Sequence, residues 1–475
     1  MSLSDVNSNF VVILYKRRWV ILAGLMLAEC LAGFSFTCFG QMNNFFANFF
    51  QVTYADVDWI TLSHNVAPTF FLLPLLWAIN KRIIGFRKLT VIAVVGFSIE
   101  YVCLTASLLN SKLFVVVIVG QLLGGISTSI IMSTSSIFAV LWFPEEEVGT
   151  AIAVSSAGMY IGTTLGTVMP TLAVTNNTAS SSSAMDSNET EHVRLFLLRL
   201  FGGFLAISMV VTTFLTCVVT DRPPTPPTIA QAFKLTSEIK EPLFFSAALK
   251  RLASDKNLWL LCFVFMVMVQ MITLELIMMS EMLRGVTQHD GISINADRLG
   301  GYLLVVWSMG GVFGSVATGK LMDTYKQYKA IGISLNILTV VSTAAFAVGF
   351  KFENLPTMFV ANFFFGVGSK SAMVLLYELA TQHTFPLDET IVSTWLLLWV
   401  SPGGIIIGEI GRFLFSSLGS LSVLIFQIVC LLLCLVIMAF LSTESSRLIV
   451  KREEMTSSWT SCEEYVSLLR EEHKR

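Results

Sequence analysis

Charge is scarce in this chain. Of 475 residues only 13% are Asp, Glu, Lys or Arg, whereas 54% are hydrophobic, about half the charged share usual in soluble domains. A soluble globule cannot bury that much apolar surface, so a polytopic membrane protein is expected. Site chemistry is equally sparse. The five histidines are scattered without an HxxxH pair, and the eight cysteines lie almost all inside apolar stretches without CxxC spacing. A zinc site and a disulfide framework are therefore not expected. Neither a paired-carboxylate arrangement nor a phosphate-binding glycine loop or ATPase motif is present, which argues against hydrolysis and ATP-driven work. The chain reads as a non-enzyme that needs no cofactor and has no nucleic-acid partner. A cleavable leader is not expected either. Lys16-Arg17-Arg18 precedes an apolar run, but that run is too long for a leader and lacks a small-residue cleavage site, so it reads as a first membrane span.

What the chain has in quantity is long apolar runs. They fall at 19–45, 57–79, 89–109, 113–142, 149–174 and 194–220, then at 257–283, 299–322, 329–350, 356–381, 391–416 and 420–442. Each is long enough to cross a ~30 Å hydrocarbon layer as a helix. The expected fold is an all-α membrane protein with twelve transmembrane helices in two six-helix bundles. The expected domains are a 1–18 N-terminus, a 19–220 bundle, a 221–256 linker, a 257–443 bundle and a 444–475 tail. The linker opens with Asp221-Arg222-Pro223-Pro224-Thr225-Pro226-Pro227, whose prolines keep the exit from the sixth span extended. Basic residues cluster on alternate loops: Lys16 to Arg18, Lys81 to Lys88, the linker, Lys320 to Lys329, and Arg447 to Arg452. By the positive-inside rule both termini and the linker are cytosolic. The sequons at Asn176 and Asn188 then fall in an outward loop open to glycosylation. Six plus six spans joined by a long cytosolic connection is the plan of the major facilitator transporters, whose halves pack around a mid-membrane cavity.

Further patterns fit that plan. Gly319, Asp323 and Lys326, after the eighth span, resemble the superfamily's G-xxx-D-xx-[RK] loop, in which the acid meets basic residues and a helix end to latch one conformation. In the first half Asn80 stands where the acid is expected. Gly158, Gly162, Gly166 and Pro170 recur every four residues, baring one helix face to a close neighbour, and a second strip holds Gly403, Gly404, Gly408 and Gly411. Glu29, Lys370 and Glu275, the last close to Gln270, are charges inside spans and hence functional candidates.

A more specific resemblance rests on motifs along most of the chain. These are Lys16-Arg17-Arg18-Trp19, Gly40-Gln41-Met42-Asn43-Asn44, Asp58-Trp59, Gly120-Gln121, Trp142-Phe143-Pro144-Glu145-Glu146, the prolines from 223 to 227, Tyr377-Glu378-Leu379-Ala380 and Thr384-Phe385-Pro386. Together they resemble the feline leukaemia virus subgroup C receptor-related family. The resemblance implies transport of choline or ethanolamine, with haem export also ascribed to the family. It also implies an aromatic cage for the ammonium, because a ring face attracts a cation that cannot donate hydrogen bonds. In register, the cage tryptophan falls at Phe36 and the cage tyrosine at Thr273, and two glutamine positions fall at Thr128 and Ser401. All four depart from the family pattern. The expected substrate site is therefore Phe36, Thr128, Gln270, Thr273, Glu275 and Ser401.

The expected function is alternating-access transport of a small organic amine or haem. A vitamin-like or orphan-solute carrier, and a receptor or scaffold that kept the fold without transporting, are the alternatives. Glu464, Tyr465, Leu468 and Leu469 resemble overlapping acidic-dileucine and tyrosine sorting signals. Clathrin adaptors are thus expected partners beside the solute and the lipid bilayer, in the plasma or endolysosomal membrane, for a monomeric protein.

Overall fold

The computed structural model describes residues 14–441 apart from 41, 81–82, 145–146, 172–186, 226–244, 288–295, 326, 385–386 and 388. Fourteen helices and no strand occur among the described residues. The first seven are α1 (Arg17–Thr37), α2 (Asn43–Phe50), α3 (Tyr54–Asn80), α4 (Phe86–Ser107), α5 (Phe114–Trp142), α6 (Val148–Thr171) and α7 (Ser187–Val218). The rest are α8 (Phe245–Ser254), α9 (Lys256–Thr287), α10 (Ala296–Tyr325), α11 (Tyr328–Lys351), α12 (Leu355–His383), α13 (Glu389–Leu418) and α14 (Ser420–Phe440). All but α2 and α8 have 21 or more residues, which gives the twelve expected spans. By length and composition eleven are apolar enough to cross a membrane. The twelfth, α3, carries Ser63, His64 and Asn65 near mid-length and Pro68 and Pro74 beyond.

Helix ends follow local chemistry. The first span stops at Thr37 instead of running to 45; Gly40 follows, and Asn43–Phe50 forms a helix of its own. Helix α12 starts where Asn354 accepts a hydrogen bond from the Thr357 N–H at 3.2 Å, with Pro356 in the first turn. Between α13 and α14 the chain turns at Gly419, whose φ of 82° suits a residue without Cβ.

Two packed groups result. One apolar core unites mainly α1 to α7, and two more lie mainly among α9 to α14. The halves meet where α6 packs against α10 and α3 against α13. Within the first half α1 lies unusually close to α6. A Cβ added at Gly158, Gly162 or Gly166 would sit 2.0, 1.9 or 2.5 Å from the carbonyl oxygens of Met26, Cys30 and Phe34. The four-residue glycine strip is therefore a backbone-to-backbone contact. The second strip differs: Gly403, Gly404 and Gly411 face side chains of α9, namely Met266, Gln270 and Leu274.

The contact between α1 and α6 yields a test. A side chain at 162 has only backbone to displace, and overpacking of that kind costs about 1–3 kcal/mol or more. Gly162→Leu is expected to lower the melting temperature of the detergent-purified protein clearly, whereas Gly202→Ala, with nothing within 4 Å, leaves it unchanged.

Candidate functional site

A cavity lies between the halves at mid-length of the spans, with about 1040 Å³ of space free of protein atoms, its openings included. Helical periodicity explains which residues reach it. Helix α1 contributes Glu29 and Phe36, seven residues apart on one face, and α5 contributes Gly125, Thr128, Ser129 and Met132. Helix α6 adds Tyr160, α10 adds Trp307, and α12 adds Lys370, Met373, Val374 and Tyr377 in one stripe.

Three polar constellations border this space. In the first, Glu29 is 2% exposed, and its Oε1 accepts hydrogen bonds from the Ser135 hydroxyl at 2.6 Å and the Ser155 hydroxyl at 2.8 Å. The second is centred on His64. Its Nδ1 lies 3.1 Å from Gln121 Oε1 and its Nε2 3.1 Å from Thr128 Oγ1. Gln121 donates its Nε2 to the Ser35 carbonyl at 3.2 Å, which leaves Oε1 as the acceptor facing His64. His64 thus donates from Nδ1, and a neutral ring accepts the Thr128 hydroxyl at Nε2. Gly125 permits this, because a Cβ there would fall 1.8 Å from the His64 carbonyl oxygen.

The third is an ammonium among rings. Lys370 Nζ sits 3.6 Å from the Trp307 ring centroid and 4.4 Å from that of Tyr160, and donates to Ser308 Oγ at 3.3 Å. Its stem occupies room left by Gly311, where a Cβ would lie 2.2 Å from Lys370 Cδ. Gly366 lets α12 approach α10 to within 2.0 Å of the Trp307 carbonyl oxygen by the same measure. None of the described residues places a carboxylate within ion-pair reach of Lys370.

Phe36, Thr128 and Thr273 line this cavity together with Glu29 and Lys370. Gln270 and Glu275 line other pockets. Gln270, three residues from Thr273, shares its face of α9 and lines a neighbouring pocket with it, whereas Glu275, two residues on, is turned by about 200°. Gln270 donates to the Val400 carbonyl at 2.7 Å, and Glu275 borders a small pocket with Thr343, Asn362 and Gln427. The side chains of Ser401 and Asn188, and all of Asn176, Lys326, Glu464, Tyr465, Leu468 and Leu469, lie outside the described residues. His64, Tyr160, Trp307 and Tyr377 are cavity residues that sequence reasoning passed over. His64 was within its reach, as an ionisable group in the middle of a span.

A second site lies at the face where α1 begins and α14 ends. Asp323, near the end of α10, crosses to the start of α6 in the other half. Its carboxylate accepts from the Gly149 N–H at 3.1 Å, the Thr150 N–H at 3.0 Å and the Thr150 hydroxyl at 2.7 Å. A carboxylate at a helix N-terminus satisfies orphan donors and complements the helix dipole. Gly319 makes room, since a Cβ there would lie 2.8 Å from that of Ala153.

Comparison with known proteins matches this layout. The profile described as Major Facilitator Superfamily covers residues 25–384. The chain belongs to that superfamily. It is similar to the choline/ethanolamine transporter flvcr2a of Danio rerio, 25% identical over 93% of this chain and 90% of that protein. It is also similar to the choline/ethanolamine transporter FLVCR2 of Homo sapiens, 25% identical over 82% of this chain and 70% of that one. Among solved structures, the fold resembles the transporter FucP in its outward conformation, with a TM-score of 0.64 and 12% identity over 90% of this chain and 100% of that one. It likewise resembles the proton:xylose symporter XylE, with a TM-score of 0.65 and 10% identity over 90% and 96%. The superfamily member is thus a divergent relative of the FLVCR transporters, a multi-pass membrane protein and a solute transporter of the superfamily's type.

The Asp323 contact is testable without a substrate. Asp323→Ala removes an acceptor of three hydrogen bonds between the halves. A cysteine placed at buried Ala153 is then expected to react with a soluble maleimide severalfold faster than in the protein that keeps Asp323.

Proposed function

We propose that this transporter carries a small organic amine of the choline or ethanolamine type by alternating access, with the solute held in the central cavity. One observation carries the reading: the cavity lies at mid-depth between the halves and is walled by the rings of Phe36, Tyr160, Trp307 and Tyr377. Ring faces suit an ammonium, and a site shared by both halves is what rocking motion can expose to either side. The relatives named as choline/ethanolamine transporters support the same class. Phe36 takes the position of a cage ring, Thr128 and Thr273 supply hydroxyls, and Gln270 and Glu275 hold neighbouring helices in place.

The terminal face is cytosolic on this reading, as its basic loops favour. Asp323 on the start of α6 is the latch that keeps that face shut, with Gly319 allowing the approach. Release of the latch lets the halves rock about the solute, and the linker from 221 to 256 gives them length to do so. The outer-loop sequons carry glycans, and the tail motif directs a monomeric protein through adaptor-dependent sorting between plasma and endolysosomal membranes.

Uptake by the purified full-length chain in liposomes is the test. Labelled choline or ethanolamine is expected to accumulate in a saturable manner. Phe36→Ala is expected to raise KM about fivefold, the size of one cation–π contact. Absence of flux for either amine overturns the reading and favours a receptor that kept the fold.

A further inference from the structure

The walls of the cavity differ in hydrogen-bonding character, and the difference sorts by half. On the second-half side three buried side chains hold donors that the protein does not fully use. Lys370, 1% exposed, has three ammonium hydrogens, and its one hydrogen bond among the described residues goes to Ser308. Trp307 Nε1 and the Tyr377 hydroxyl are buried without a hydrogen-bond partner among the described residues, and both residues line the cavity. Leaving buried donors unmade is costly, and most of all for a charged group. Three residues that line one cavity with donors to spare describe a place for an acceptor-rich anion.

The first-half wall has the opposite character. Glu29 spends one carboxylate oxygen on the hydroxyls of Ser135 and Ser155, and the other has no donor among the described residues. Tyr160 stands between the poles. Its hydroxyl donates to the Lys370 carbonyl at 3.1 Å, and its ring lies against the Lys370 ammonium. An acid on one half and a base on the other therefore face a single cavity without forming an ion pair with each other.

We propose that the cavity recognises zwitterions, small solutes with an ammonium at one end and a carboxylate at the other. The carboxylate takes the donors of Lys370, Trp307 and Tyr377, and the ammonium lies toward Glu29 and the ring of Phe36. This rests on the reading of the cavity as the solute site and narrows the amine to one that carries an acid group. Such a solute gives each half one of its charges to hold, so it is bound fully only when both halves close on it.

Choline and glycine betaine share a trimethylammonium group and differ in ending on a hydroxyl or a carboxylate, so they isolate the second pole. Binding to the purified full-length chain is measured by intrinsic tryptophan fluorescence, and uptake in liposomes runs alongside. Glycine betaine is expected to bind about tenfold or more tightly than choline, the worth of charge-assisted hydrogen bonds. Lys370→Met should erase that preference, and Glu29→Gln should weaken both probes. Tyr377→Phe, which alters one hydroxyl and serves if the lysine variant does not fold, should weaken glycine betaine severalfold and leave choline unchanged. Choline binding equal to or tighter than glycine betaine overturns the proposal, as does a preference that survives Lys370→Met. The outcomes separate the two readings: choline flux without a betaine preference removes only the zwitterion, and betaine flux without choline flux removes only the choline assignment.

Discussion

An ammonium group at mid-depth in a membrane bundle needs a substitute for its hydration shell. In this chain two ring faces and one hydroxyl supply it around Lys370. Much of the second half is arranged to make that possible. Helix α12 approaches α10 because Gly366 and Gly311 offer no side chain, which brings the ammonium over Trp307. The third participant, Tyr160, belongs to the other half, so the lysine's surroundings are complete only when α6 lies against α10. The interior cation thereby ties the packing of one bundle to the position of the other.

The first half handles its polar interior differently. It relies on neutral donors: serines on Glu29, and the Ser35, Gln121, His64 and Thr128 series, in which each group's role is set by the one before it. Hydrogen bonds that fix their neighbours' orientation give a rigid wall. The intimate contact of α1 with α6, where glycines meet carbonyls, has the same effect on the backbone. A stiff first half and a lysine that depends on both halves suit a molecule whose parts move as bodies.

Much of this was legible in the sequence, and the limits have a physical cause. Helix number and the close face at Gly158 to Gly166 follow from local pattern, because hydrocarbon allows few solutions for the backbone, whereas the break after Thr37 was hidden inside an apolar run that continues to 45. Depth was readable too, since residue count measures rise along a helix. Rotation was not. Thr273 reaches the cavity and shares a second pocket with Gln270, while Glu275 turns to a third, and a bundle of mixed apolar faces gives little sign of which side faces inward. The setting of Lys370 was beyond reach because Tyr160, Trp307 and Ser308 are brought to it from distant parts of the chain.

The contact made by Asp323 has an asymmetry of its own. Two of its three donors on α6 are main-chain N–H groups, which every residue except proline possesses. Substitutions at 149 and 150 can crowd the contact but leave those donors in place, so the α6 side resists loss by point mutation. On the α10 side the contact is carried by one side chain, Asp323. A sequence drifting away from transport would lose this contact through a change at 323 far more readily than through a change in the helix it meets.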